Sequence, residues 1–174
     1  DVGIHACSIS GKDGRTLNAK KKLDEKGRDL GFVGEITNVD TTLIHTLLDA
    51  DFVPVISPIG VDAEGSTYNI NADYVASAVA GALEAQKLIF MTDVEGILRE
   101  KDNKDSLIKR LSKLQAVKLI NDGVINGGMI PKTECCIDAL HKGVKSVHVL
   151  DGRVPHSILL EIFTEEGIGT MLIN

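Results

Sequence analysis

The sequence predicts an α/β fold with a largely parallel sheet and helices on both faces. Three stretches, FVPVISPIG (52–60), KLIFMTDVEGIL (87–98) and VKSVHVLDG (144–152), carry near-continuous runs of β-branched and aliphatic residues. Strands read this way when both faces of a sheet are covered. Between them lie segments with helical apolar spacing, and strands alternating with helices argue for a parallel sheet. Composition agrees with a globular chain, at 43% hydrophobic and 25% charged residues. A chain of 174 residues is long enough to bury a sizeable core. With 3% aromatics and no Trp, that core must be aliphatic.

Each element follows from its local pattern. GIHACSI (3–9) is a short, partly buried strand and SGKDGR (10–15) a turn. A polar stretch of period two ends in DLGFVGEITNV (29–39), a hairpin or pair of edge strands carrying Gly31 and Gly34. VDTTLIHTLLDAD (39–51) is a helix with Asp40 as candidate N-cap and Leu43, Ile44, Leu47 and Leu48 on one face. FVPVISPIG is a strand buried on both faces, and VDAEGST (61–67) a turn. NINADYVASAVAGALEA (69–85) is a small-residue helix capped by Asn71. KLIFMTDVEGIL is a second buried strand running into a tight Asp-x-x-Gly turn. SKLQAVKLINDG (112–123) is an amphipathic helix ended by Gly123. The next helix has Pro131 in its first turn and ends at Gly143. A strand (144–152), a helix (154–163) and a last strand (169–174) complete the chain. There is no internal repeat.

Charge and cysteine usage exclude several functions. A net charge of −6 with few aromatics makes a poor nucleic-acid binder. The basic cluster RTLNAKKKLDEKGR (15–28) includes Asp24 and Glu25 and reads as a solvated hairpin or loop. Cys7, Cys135 and Cys136 form neither a disulfide framework nor a zinc spacing, which suits a reducing, cytoplasmic setting. No apolar run approaches membrane-spanning length.

Three stretches fall where ligands gather in open α/β sheets, beyond the carboxyl ends of the strands. Asn69, Asn71 and Asp73 place two amides and a carboxylate at alternate positions, able to converge on one ligand or simply to cap a helix. Thr92-Asp93-Val94-Glu95-Gly96 is an acidic turn, suited to a ribose or a metal-bound phosphate, or to a plain Asx turn. The third is Gly127-Gly128-Met129-Ile130-Pro131-Lys132. Its glycines let backbone approach a ligand closely, and its helix start can receive phosphate oxygens. A lysine beside the positive end of a helix is a local misfit unless an anion completes it. Phosphoryl transfer needs such a clamp. The other reading is a lysine pointing to solvent. His5, His45 and His141 read as surface or core-edge residues.

DLGFVGEI, YNINAD, LIFMTDVEGIL, GGMIPK, VHVLDGRVPHSILLEIF and EEGIGTM, in this order, resemble the N-acetylglutamate kinases of the amino-acid kinase superfamily across nearly the whole chain. The resemblance implies a three-layer α/β/α fold on a central, mainly parallel sheet. It implies ATP-dependent phosphorylation of the γ-carboxylate of N-acetyl-L-glutamate in arginine biosynthesis, with Mg²⁺ held by the nucleotide phosphates. Residues 1–85 would be the C-terminal part of the acetylglutamate-binding domain and residues 86–174 the nucleotide-binding domain. Asn69 and Asn71 match the substrate motif. Asp73 matches the carboxylate that organises two active-site lysines, and Lys132 the lysine that stabilises the transferring phosphoryl group. Thr92, Asp93, Val94, Glu95, Gly96, Ile97 and Leu98 match the nucleotide site, as do Val124, Ile125, Asn126, Gly127, Gly128 and Met129. His148, Glu161 and Gly167 match the effector site of arginine-inhibited members. A homo-oligomer is implied.

The chain also departs from that family. The Lys-x-Gly-Gly strand, the glycine loop after it and the substrate-binding arginine of the family's N-terminal region are not in this sequence. The expectation is a C-terminal portion of such an enzyme, inactive by itself and prone to self-association. Two other readings stay open: a non-catalytic nucleotide- or arginine-binding module, and another amino-acid kinase of the carbamate or glutamate 5-kinase type.

Overall fold

The computed structural model describes residues 3–100 and 103–174. The chain divides into two compact units, the first 83 residues and residues 84–174.

The first unit runs β1 (Ala6–Ser10), β2 (Leu17–Leu23), β3 (Asp29–Val39), α1 (Thr42–Asp49), β4 (Val53–Ser57), β5 (Ile59–Val61), β6 (Thr67–Asn69) and α2 (Ala72–Ala82). β1 and β4 pair in parallel, from Ala6 opposite Val53 to Ser10 opposite Ser57. The other four strands close into a small barrel in the order β2–β3–β6–β5. β2 and β3 form the expected hairpin, with register shifts after Asn18 and after Lys21 that bend it. The core gathers Leu17, Ala19, Tyr68, Ile70 and Val75. Gly34 is required here, since a Cβ would stand 2.5 Å from the Cβ of Tyr68.

Two elements, β4 and α1, differ in detail from the sequence reading. The 52–60 run breaks at Pro58 into β4 and β5, because proline cannot donate to a ladder. Val53 and Val55 are 49% and 54% exposed, so one face of β4 is open rather than buried. Asp40 does accept the Thr42 N–H at 2.9 Å, but the cap position of α1 is Thr41. Ile44 alone of the four predicted α1 residues is fully buried, and Leu48 is exposed.

The second unit runs β7 (Lys87–Thr92), β8 (Arg110–Ser112), α3 (Lys113–Asn121), α4 (Met129–His141), β9 (Ser146–Asp151), α5 (Ser157–Phe163) and β10 (Thr170–Ile173). Its sheet has the order β7–β9–β10–β8. β7 pairs in parallel with β9 and β8 with β10, while β9 and β10 are antiparallel. Every residue of β9 is buried, as its apolar run requires of a central strand. Ser112 and Gln115 cap α3 reciprocally. α4 ends in a Schellman motif, with Gly143 N–H bonded to Leu140 O, Val144 N–H to Ala139 O, and Gly143 at φ +104°. Cys135 and Cys136 are buried in α4, and none of the three cysteines forms a disulfide. Among the described residues no helix is long and apolar enough to cross a membrane.

Candidate functional site

A cavity of about 610 Å³ opens in the second unit, at the carboxyl end of β7. Its size is that of a small-molecule site. One wall is the turn Asp93–Leu98, the other the segment Val124–Met129, with Lys104 and Lys132 contributing side chains. Thr92 does not line it. The Thr92 hydroxyl donates to Val94 O at 2.9 Å and accepts the Val94 N–H at 3.0 Å, so its part is to fold the turn. Gly96 sits at φ +149°, where a Cβ would meet Thr170 Oγ1 at 2.6 Å and Leu107 Cδ1 at 2.8 Å. The turn is pinned from behind, because Ile97 N–H donates to Thr170 Oγ1 at 2.8 Å and Ile108 N–H to Ile97 O at 2.9 Å.

The opposite wall is braced by Asn126, whose amide donates to Gly123 O and Val124 O, both at 3.3 Å. Gly127 takes φ +56°, which glycine adopts without strain. The N–H groups of Met129 and Ile130 reach back to Asn126 O and Gly127 O at 3.3 and 3.2 Å, and Pro131 has no N–H. The start of α4 therefore offers an anion fewer donors than its sequence suggests. Lys132 also lines the cavity, with its Nζ 5.4 Å from the centroid of the Phe90 ring.

Ion pairs stand beyond the carboxyl ends of β7 and β9. Lys104 Nζ pairs with Glu95 Oε1 at 2.5 Å, and this bond holds the Glu95 carboxyl below its ordinary pKa. Arg153 grips Asp151 through Nε and Nη2 at 2.9 and 2.8 Å and through its backbone N–H, lowering Asp151 to about 2. Among the described residues no group of three His, Cys, Asp or Glu could hold a metal ion.

In the first unit, Asn69 ends β6 and is exposed, while the Asn71 side chain accepts the Asp73 N–H at 2.9 Å as the N-cap of α2. The capping role of Asn71 is thus real, and Asp73 sits in the favourable first turn.

His148, Glu161 and Gly167 come together elsewhere in the second unit. His148 Nδ1 lies 2.7 Å from Glu161 Oε1, and Ser146 Oγ lies 3.1 Å from His148 Nε2. Glu161 Oε2 accepts the N–H groups of Ile168 and Gly169, both at 2.8 Å. Gly167, at φ +60°, passes so close that a Cβ would meet Glu161 Oε2 at 2.6 Å. Burial works against the Glu161 charge, but His148 and the two backbone donors outweigh it, and its pKa is lowered.

Sequence reasoning missed Lys104, Phe90 and Ser146 as members of these clusters. Lys104 and Phe90 meet their partners only through the fold, whereas Ser146 meets His148 two residues along β9, where the period of a strand puts both on one face.

A cavity beside a parallel strand's carboxyl end defines an α/β domain with the place for a small-molecule ligand. A model of the amino acid kinase family matches residues 1–151, and the chain belongs to that family. It is 52% identical over 173 residues to an acetylglutamate kinase of Desulforamulus reducens, covering 99% of this chain and 60% of that protein. To the acetylglutamate kinase of Methanococcus aeolicus it is 49% identical over 177 residues, again covering 60% of that protein. The chain thus spans about three fifths of the length of these curated relatives. Among solved structures, N-acetylglutamate synthase from Neisseria gonorrhoeae with coenzyme A and N-acetyl-glutamate superposes with a TM-score of 0.85 at 29% identity, covering 99% of this chain and 38% of that one. Carbamate kinase from Giardia lamblia, at 17% identity, a TM-score of 0.65 and coverage of 94% and 54%, shares the fold.

Proposed function

We propose that this chain carries the nucleotide site and part of the acceptor site of an acetylglutamate kinase, which phosphorylates the γ-carboxylate of N-acetyl-L-glutamate with ATP. The observation that carries this is the cavity itself. Two turns singled out by their residue types line one space, and a lysine from a helix start enters it. The identity of the acceptor rests on the relatives, about half of whose aligned residues recur in this chain. ATP would supply the phosphoryl group, and Mg²⁺ carried on its phosphates would supply charge neutralisation. Lys132 adds a positive charge where charge spreads over the moving phosphoryl group. Asn69 and Asn71 are assigned to the acceptor, and Asp73 to orienting lysines.

L-arginine as an effector at His148, Glu161 and Gly167 is the finer part of the proposal. The Glu161 carboxylate already accepts from two backbone N–H groups and meets His148. Oε1, which meets only His148, keeps a lone pair that a guanidinium could use.

Calorimetric titration with Mg·ATP of the wild-type chain and Lys132→Ala tests the nucleotide site. Loss of a charged contact costs about 1.5–3 kcal/mol, so affinity should fall about 10- to 100-fold. Equal affinity in the two proteins refutes the assignment of Lys132 to phosphate.

A further inference from the structure

Phe90 is the single buried phenylalanine of this chain. Phe32, Phe52 and Phe163 are all exposed, whereas Phe90 retains 4% of its surface. The rest of its surroundings in the sheet is aliphatic. Val147 and Val149 fill β9 opposite Leu88 and Phe90, and another Leu or Ile would fit that pattern. The ring is rigidly placed, because Phe90 pairs with Val149 in the parallel ladder, one turn of pleat before the cavity turn begins. Its centroid lies 5.4 Å from Lys132 Nζ, within the reach of a cation–π contact.

The contact opposes a local electrostatic misfit of Lys132. This lysine stands in the first turn of α4, where the helix repels a cation. Its four-carbon stem is flexible, and a rotamer pointing into solvent would relieve that repulsion. We infer that Phe90 is a positioning residue for Lys132, its ring face drawing the ammonium towards the end of β7 so that it stands in the cavity before an anion arrives. The contact acts alongside the other interactions Lys132 makes. A ring quadrupole attracts a cation far less than a phosphate does, so the ammonium is held without being sequestered. The inference rests on the nucleotide reading above for its purpose, but the placement of Lys132 can be observed without it.

The test combines a mutant cycle with a spectroscopic readout. Mg·ATP and adenosine are titrated into wild type, Phe90→Leu, Lys132→Ala and the double variant. Phe90→Leu should weaken Mg·ATP about two- to fivefold, the ratio a partly exposed cation–π contact supports, and leave adenosine unchanged. It should add nothing in the Lys132→Ala background. In the unliganded chain the Lys132 ε-CH2 protons should show an upfield ring-current shift that Phe90→Leu abolishes and Phe90→Tyr keeps. Equal weakening of ATP and adenosine, or the same loss in the Lys132→Ala background, would reduce Phe90 to a packing residue and overturn the inference. If Lys132→Ala itself leaves Mg·ATP binding intact, the nucleotide reading fails, and the proton shift alone decides: present in wild type it supports the positioning, absent it refutes it. The same wild-type measurement decides if Phe90→Leu does not fold.

Discussion

A Cβ added at Gly128 meets no atom within 4 Å, and the backbone there is ordinary, at φ −65° and ψ −14°. Nothing in the fold asks for glycine at this position, although it lines the cavity. Gly128→Ala should therefore stabilise the chain by about 0.4–1 kcal/mol, through the unfolded state, while weakening Mg·ATP. Thermal melting beside calorimetric titration checks this, and a variant that loses stability with unchanged affinity would reverse the assignment. Glu161 behaves oppositely, with a structural task that pH exposes. Its folded pKa is lowered, so its stabilisation is fully present above the unfolded value, near 4.3. That stabilisation is lost as pH falls through the lower folded value. Glu161→Gln should cost about 1.5–3 kcal/mol at pH 7, the range for hydrogen bonds to a charged group. The gap to wild type should narrow towards pH 3. Urea midpoints of both proteins at the two pH values report it; a gap independent of pH would mean the charge contributes nothing.

The same residue explains an inversion in α5. Ser157 and Glu161, spaced i and i+4, face inward, and Ile158, Leu159, Leu160, Ile162 and Phe163 are left 37–78% exposed. The helix is held by its polar face because Glu161 must reach His148 and the amides of Ile168 and Gly169. An outward apolar face of this kind favours association. Phe163→Glu, at a position 78% exposed, should leave stability within about 0.5 kcal/mol while reducing self-association in sedimentation velocity. A wild-type chain that stays monomeric at high concentration sinks the prediction. None of this inversion was legible in SILLEIF, since an apolar helix reads as a buried one. By contrast β9 was legible, because a continuous apolar run has one solution in a sheet covered on both faces. β7 was legible as a strand but not in its burial, since it lies at the edge of its sheet and leaves Met91 52% exposed. β8 was not, as three residues including Arg110 show no periodicity. The two cavity walls were legible because glycines and acidic turns punctuate the sequence locally. Lys104 and Phe90 were not, since their partners Glu95 and Lys132 are supplied by tertiary structure.

At the scale of the whole molecule, binding and turnover make different demands. The residues that line the cavity all belong to the second unit, so under the proposed function nucleotide binding should need only that unit to be folded. Transfer needs more, because charge spreads over several phosphoryl oxygens at once. Removing one donor to developing charge costs about 10²–10³ in rate, and groups that act together lose their effect together. The Lys-x-Gly-Gly strand and glycine loop expected from the resemblance are not among these 174 residues. The 174 residues by themselves should therefore bind Mg·ATP without measurable phosphorylation of N-acetyl-L-glutamate. Coupled assay of ADP release, run on the sample used for calorimetry, separates the outcomes. Binding without release fits a nucleotide half that is assembled but lacks its full clamp. Turnover near that of the longer relatives would mean that Lys132 and the backbone of the two turns stabilise the transfer alone, with the lysine and glycine loop of the resemblance dispensable to it.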